Sequence, residues 1–205
     1  GYFDYGDAFA YQAMLRHVRP ARVIEVGAGW SSAVLLDTDE RFLGGRTDCT
    51  FVEPYPERLL SLLRPADVAR TRLLRMRLQD VPLAEVTRLQ ANDFLFIDSS
   101  HVAKTGSDVL HALFTVLPAL RAGVFVHVHD VYANFEYPEP WVREGWSWNE
   151  AYMLRAFLMH NDDWEIVLHG SALAEHAPER LLLLMPKLAN KIGGSLWLRK
   201  RRGAP

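Results

Sequence analysis

The chain has 205 residues, of which 49% are hydrophobic and 23% charged, with a net charge of −2. A chain of this length buries roughly 70% of the surface its unfolded form exposes. Disordered, collagen-like and coiled-coil classes are therefore excluded, and there is no bulk charge to draw the chain to nucleic acid or an anionic membrane. The single cysteine, Cys49, excludes an internal disulfide and a cysteine-rich metal site. A reducing, cytoplasmic setting is the expectation. The longest apolar run, 181–185, is far below the ~20 residues that span a bilayer. The chain opens Gly1-Tyr2-Phe3-Asp4, without Met and without a signal-peptide pattern.

Strand-like and helix-like runs alternate, which predicts one α/β domain over residues 1–205 with a mostly parallel sheet. Asp4 or Asp7 is placed to cap a first helix within 1–20, broken by Pro20. Residues 22–26 form the first strand and a helix follows from Ser32. Residues 50–52 form the second strand, ending at Glu53, with a helix after Pro56. Residues 72–78 form the third strand and 82–89 a short helix. Residues 94–97 form the fourth strand, apolar throughout and thus buried on both faces. A helix is expected over 107–117 and a fifth strand over 123–129. Residues 131–148, rich in Pro, Trp, Tyr and Glu, read as a substrate loop or lid. Residues 148–160 form an amphipathic helix, 164–169 a sixth strand, 181–185 a short helix and 195–198 the last strand. Residues 199–205 read as a basic tail.

In parallel sheets ligands sit beyond the carboxyl ends of the strands. Val26-Gly27-Ala28-Gly29-Trp30-Ser31-Ser32 lies at such an end, and its glycines let backbone approach a ligand closely. Glu53, at the end of the next strand, can accept both hydroxyl protons of an adenosine ribose. A dinucleotide and S-adenosylmethionine both fit. The dinucleotide fingerprint wants a third glycine where Ser32 stands. Glu25 suits the cationic methionine end of S-adenosylmethionine better than the apolar residue usual in dinucleotide folds.

Val23-Ile24-Glu25-Val26-Gly27-Ala28-Gly29 resembles motif I of class I S-adenosylmethionine-dependent methyltransferases, and Phe51-Val52-Glu53 resembles their acidic motif II. The resemblance runs from Tyr2 to Leu198. It implies a Rossmann-like, seven-stranded, mostly parallel sheet with helices on both faces and an antiparallel last strand. It implies cofactor contacts from Glu25, Gly27, Ala28, Gly29, Ser31, Ser32, Glu53 and Asp98. Gln79 and Asp80 stand where the family commonly touches the adenine.

The fourth and fifth strands end in Asp98 and Asp130. In the family fold these strands are neighbours, about 4.8 Å apart. Two carboxylates that close need a shared proton or a cation, and oxygen ligands favour Mg²⁺ or Mn²⁺. His101, three residues past Asp98, has the pKa of a neutral-pH base, near 6.5. His129, beside Asp130, is its rival. His127 reads as a core histidine, and His17, His111, His160, His169 and His176 as structural or surface residues. Ile97-Asp98-Ser99-Ser100-His101 with His129-Asp130 resembles metal-dependent sugar O-methyltransferases, including those acting on macrolide sugars. That likeness implies Asp98 and Asp130 as metal ligands and His101 as base. Val131 stands where those enzymes carry a further acid and catechol-type enzymes an amide. Cephalosporin-hydroxylase-like proteins share the fold and the acidic pair.

Trp141 and Trp146, with Tyr132 and Trp30, are the expected acceptor contacts, because aromatic faces stack on sugar C–H faces. Glu139, Glu144 and Glu150 are placed to accept sugar hydroxyl protons. A lid that merely excludes water is the alternative reading of this loop. The expected reaction is O-methylation of a small-molecule hydroxyl, that of a sugar or glycoside. Nicotinamide oxidation and a non-catalytic adenosylmethionine-binding domain are the alternatives. No nucleic-acid or membrane partner is expected.

Overall fold

The computed structural model describes residues 3–188 and 192–203. Gly1 and Tyr2, with which the opening and the family resemblance begin, lie outside the described residues, as do the last two residues of the expected tail. In chain order the elements are α1 (Tyr5–Val18), β1 (Arg22–Val26), α2 (Trp30–Thr38), β2 (Asp48–Val52), α3 (Glu57–Leu62), α4 (Pro65–Arg70) and β3 (Thr71–Leu74). There follow α5 (Leu83–Thr87), β4 (Phe94–Ile97), α6 (Asp108–His111), α7 (Leu117–Ala119), β5 (Phe125–Val128) and α8 (Glu139–Arg143). The last are α9 (Glu150–Leu158), β6 (Trp164–His169), α10 (Gly170–His176), α11 (Pro178–Leu184) and β7 (Leu196–Lys200).

The strands form one sheet in the order β3-β2-β1-β4-β5-β7-β6, in which β7 alone runs antiparallel to its neighbours. This is the expected sheet. Alternation along the strands divides the core in two. Ile24, Val26, Leu95, Ile97, Val126 and Val128 make an aliphatic face. Phe51, Phe94, Phe96 and Trp197 make an aromatic face, on which Tyr11 of α1 packs. Among the described residues no helix is long and apolar enough to cross a membrane.

Several boundaries differ from the sequence reading. The helix after the glycine turn begins at Trp30, two residues early. β3 stops at Leu74, because the Met76 amide turns back onto the Leu74 carbonyl at 2.9 Å. The loop over 131–148 contains α8, and α10 had no sequence signal. Arg199 and Lys200 belong to β7 rather than to a tail. Lys200 is buried and its ammonium donates to the carbonyls of Leu117 and Pro118 at 3.1 and 2.6 Å.

Between β1 and β4 the strand order reverses direction, and a crevice opens there above the carboxyl ends. The Gly27 turn, Glu53, Asp98 and Asp130 all follow strands that end at this crevice.

Candidate functional site

The glycine turn is fixed by sterics. Gly27 has φ +82°, and a Cβ there would stand 1.6 Å from the Asp98 carbonyl oxygen. The backbone of β1 thus passes against that of β4 in a way only glycine permits. The Gly29 amide donates to Ser32 Oγ (3.0 Å), and the Ala28 amide donates to Glu53 Oε2 (3.2 Å). Glu53 Oε1 accepts from the Tyr55 amide at 2.8 Å. Glu53 is half-buried, and burial raises its pKa against these backbone bonds. A carboxylate has about four acceptor sites, so Glu53 braces the turn and retains capacity for ligand hydroxyls.

Two cavities of about 330 and 310 Å³ meet at Gly27, Glu53, Asp98 and Ser99. The smaller is flanked by Val26, Val52, Tyr55 and Leu78, and by Gln79. Gln79 donates to the Gly106 carbonyl at 2.9 Å, while its side-chain oxygen has no partner in the protein. Three expected cofactor residues fall outside both cavities. Asp80 is exposed and turned into an ion pair with Arg77 at 2.8 Å. Ser32 is fully buried as the brace of the turn. Glu25, in register with Phe51 and Phe96, points into the aromatic face. Burial pushes its pKa up to about 8, against the partial help of the Ser31 and Ser32 hydroxyls. Ser31, Ala28 and Gly29 do line the larger cavity.

The larger cavity holds the chemical half. Its floor carries Asp98, His101, His129 and Asp130, and its wall Trp30, Tyr132, Trp141 and Trp146, with Trp148 as well. The three tryptophans of the loop are in mutual contact, Trp141 and Trp146 stacking at 4.8 Å between centroids. Tyr132 meets Trp141 edge-on at 5.7 Å. Glu139 faces solvent beside Arg143, and Glu144 is exposed as well; neither lines the cavity.

Asp98 and Asp130 converge as expected, and two imidazoles stand between them. His101 Nε2 is 3.2 Å from Asp98 Oδ1 and 3.7 Å from Asp130 Oδ2. His129 Nδ1 is 3.5 Å from Asp98 Oδ1 and 3.3 Å from Asp130 Oδ2. Burial opposes charge on Asp98, but the facing imidazoles of His101 and His129 outweigh it and hold its pKa well below the usual carboxylate range. His101 is likewise desolvated, yet Asp98 and Glu150 push its pKa up to about 10. This corrects the expectation of a base titrating near 6.5: between two carboxylates the ring keeps its proton at neutral pH. His129 is raised well above the usual imidazole value, chiefly by Asp130, Asp7 and Asp98 against burial. His101 and Asp130 both hold positive φ, near 56°, a strained setting for non-glycine residues that clusters at functional sites.

Three further residues complete this site: Asp7, read in the sequence only as a helix cap, Trp148 of the aromatic loop, and Glu150, which is buried against His101 rather than free to accept sugar hydroxyls as expected. Glu150, the first residue of α9, lies 2.9 Å from His101 Nδ1. Trp148 packs on the His101 ring at 4.1 Å between centroids. Asp7, on α1, reaches within 3.3 Å of His129 Nε2 and lines the cavity. His127 is a core histidine as expected. It is held neutral by burial and contacts Ser195 at 3.0 Å.

Asp98, His129 and Asp130 bring donor atoms within 4.8 Å of one another. His129 is 3% exposed, and neither of its ring nitrogens makes an aligned hydrogen bond. A buried, unpartnered nitrogen aimed at two carboxylates fits a divalent cation.

Sheet order, glycine turn and strand-end acids together define the class I methyltransferase architecture. A family model described as a methyltransferase domain matches residues 24–131, and the chain belongs to that family. It is 33% identical over 96 residues to an uncharacterised protein of Archaeoglobus fulgidus. That alignment covers 45% of this chain and 41% of the relative, so the chain matches less than half of that protein's length. Among solved structures, the O-methyltransferase TomG from Streptomyces achromogenes, involved in tomaymycin synthesis and solved with SAM, superposes with a TM-score of 0.59. It is 15% identical, over 96% of this chain and 79% of its own. A CmcI structure with Mg and SAM superposes with a TM-score of 0.53 at 14% identity, over 97% of this chain and 72% of its own. These likenesses establish the fold. Family membership sets aside the nicotinamide oxidoreductase alternative.

Proposed function

We propose that the chain is an S-adenosylmethionine-dependent O-methyltransferase that methylates a hydroxyl of a sugar or glycoside with help from a divalent cation. The observation that carries this reading is a juxtaposition. The glycine turn and Glu53 sit at one end of Asp98, and the His101–Asp130–His129 cluster under an aromatic wall sits at the other.

In this reading Glu53 accepts the ribose hydroxyls, and Gln79 uses its unpartnered oxygen toward the base. Gly27, Ala28, Gly29 and Ser31 shape the turn around the methionine half. S-adenosylmethionine supplies the electrophilic methyl group and leaves as the neutral thioether. Asp98, His129 and Asp130 hold the cation, whose chemistry is to lower the pKa of a nearby hydroxyl. His101 takes the hydroxyl proton through Nε2, a role it can fill only when Asp98 is engaged elsewhere and no longer stabilises its charged form. Glu150 holds the opposite ring nitrogen. The tryptophans position the acceptor and exclude water, and positioning supplies much of the rate. A cytoplasmic setting completes the reading; Cys49 is a buried thiol.

The test is calorimetry with S-adenosylmethionine, its demethylated product, NAD and NADP, followed by a panel of glycosides and catechols with and without chelator. Binding of the first two only, with chelator-sensitive turnover of glycosides, is expected. Tight NAD binding without an adenosylmethionine signal overturns the cofactor. Turnover of catechols alone overturns the sugar.

A further inference from the structure

The imidazole of His129 enters the acidic pair from below, with Nδ1 3.3 Å from Asp130 Oδ2 and 3.5 Å from Asp98 Oδ1. Donors about 2.1 Å from one ion lie about 3.0–3.4 Å apart at octahedral or tetrahedral angles. The Nδ1–Asp130 separation falls in that range and the Nδ1–Asp98 separation lies just beyond it, within a cluster whose donor atoms are all within 4.8 Å of one another. Neither ring nitrogen has an aligned partner, so a proton on Nδ1 meets neither Asp98 nor Asp130 in line. Burying it so is costly unless something else completes it.

Asp7 acts on the other face of the ring. Its Oδ2 is 3.3 Å from His129 Nε2, and its Oδ1 accepts from Ser195 Oγ at 2.8 Å. Asp7 is 3% exposed, and Phe3 packs on the His129 ring at 5.3 Å between centroids. When an ion displaces the Nδ1 proton, the Asp7 carboxylate 3.3 Å from Nε2 favours the remaining ring proton on that side and leaves the Nδ1 lone pair to the ion. Such a partner fixes the tautomer and orientation of metal-binding histidines.

We propose that the cation site is a mixed nitrogen–oxygen site, made by Asp98, Asp130 and His129 Nδ1 and kept in that state by Asp7. It accepts a first-row transition ion of the manganese, cobalt or zinc type in preference to magnesium. This rests on the reading of the cleft as a cation site held by the same three residues and deepens it by naming the nitrogen donor atom, the residue that orients it and the kind of ion. Magnesium is hard, is ligated by oxygen and demands near-ideal octahedral geometry. Imidazole suits borderline ions. Asp7 is thereby a positioning residue, tying α1 to the ion.

The experiment uses the full chain, stripped with chelator and titrated calorimetrically with Mn²⁺ and with Mg²⁺. Pulsed electron paramagnetic resonance on the Mn²⁺ form then looks for ¹⁴N coupling. Coupling to one imidazole is expected. In His129→Asp the coupling disappears, and the ratio of Mn²⁺ to Mg²⁺ affinity drops at least tenfold. In Asp7→Asn the Mn²⁺ affinity falls about 10–100-fold while the coupling persists. Saturable Mn²⁺ binding without ¹⁴N coupling overturns the nitrogen ligand and leaves an oxygen-only cation site. No saturable binding of either ion overturns the cation reading as well. Wild-type affinity in Asp7→Asn overturns the role of Asp7. If His129→Asp does not fold, the coupling in the unaltered protein decides the nitrogen ligand. Calorimetry with S-adenosylmethionine reports on the nucleotide half separately.

Discussion

Glu150 Oε2 lies 2.9 Å from His101 Nδ1, across 49 residues of chain, and both side chains are buried. The backbone strengthens the link, because the Asn149 and Glu150 amides donate to the His101 carbonyl at 3.0 and 3.1 Å. The loop after β4 and the start of α9 are thus clipped together, with the aromatic loop between β5 and α9 closed over them. His101 has one nitrogen committed to Glu150 and the other facing the acidic pair.

Glu150→Gln keeps the shape and removes the charge that orients the ring. Turnover is expected to fall by about tenfold to a hundredfold, a fraction of the 10²–10⁴ that a positioned base contributes. Affinity for S-adenosylmethionine is expected to stay unchanged, because Glu150 lines neither cavity. Steady-state kinetics beside calorimetry checks this. Equal loss in both quantities would mean that Glu150 supports the fold rather than the base.

Glu25 makes stability depend on pH. Unfolded, its carboxyl ionises near 4.5; folded, burial holds the proton until about 8. Between those values the unfolded chain sheds a proton that the folded chain keeps, so the residue costs stability increasingly as pH rises through that window. Each unit of difference is worth about 1.4 kcal/mol. Glu25→Gln is expected to stabilise the protein by about 1–3 kcal/mol at pH 7 and to be neutral below pH 4.5. Urea unfolding at the two pH values measures it. A variant whose effect is the same at both would show that Glu25 is ionised where it lies.

Gly27→Ala confronts a positive φ and a clash with the Asp98 backbone. The left-handed conformation alone costs an L-residue about 1–2 kcal/mol, and forced overpacking adds typically 1–3. A loss of about 3 kcal/mol in unfolding free energy is expected, with S-adenosylmethionine binding weakened beyond detection in whatever folds. Unaltered melting and binding would mean that β1 and β4 can separate here.

Trp141→Ala and Trp146→Ala probe the aromatic wall. Trp146 is 40% exposed and lies in the loop, away from the sheet core, so stability should change little. The apparent KM for a glycoside is expected to rise about tenfold, within the roughly 1–3 kcal/mol that stacking on one aromatic face supplies. Cofactor affinity should hold. Parallel loss of cofactor and acceptor affinity would identify the loop as a seal.

Removing the Glu53 carboxylate tests the nucleotide half. Glu53→Ala is expected to weaken S-adenosylmethionine by about 10–100-fold, since hydrogen bonds to a charged acceptor contribute about 1.5–3 kcal/mol. Because Glu53 also braces the Ala28 amide, Glu53→Gln should recover part of the loss. Full affinity in Glu53→Ala would move the ribose elsewhere.

Much of this architecture was legible locally. Strand limits at Arg22–Val26, Phe94–Ile97 and Trp164–His169 followed from short β-branched or apolar runs between turn residues. Gly27 was marked because a strand-to-helix turn at a ligand site needs backbone without a Cβ. Asp98 and Asp130 were marked because acids that end apolar strands point into the crevice. Those inferences need only period-two alternation and the chemistry of one segment. Which distant groups complete the site was decided by strand order and helix packing. Asp80 and Gln79 are adjacent, yet a nearby guanidinium turns Asp80 outward, while Gln79 bonds back to the loop at Gly106. Glu25 resembles a ligand in sequence, but the register of β1 against Phe51 and Phe96 places it on the aromatic face, where burial keeps it neutral. Asp7 and Glu150 belong to helices with no catalytic pattern of their own. They enter the site because α1 covers the aromatic face near β5 and β7 and because α9 starts where the loop after β4 ends. No local period encodes such a meeting; it follows from burying both faces of one twisted sheet at once.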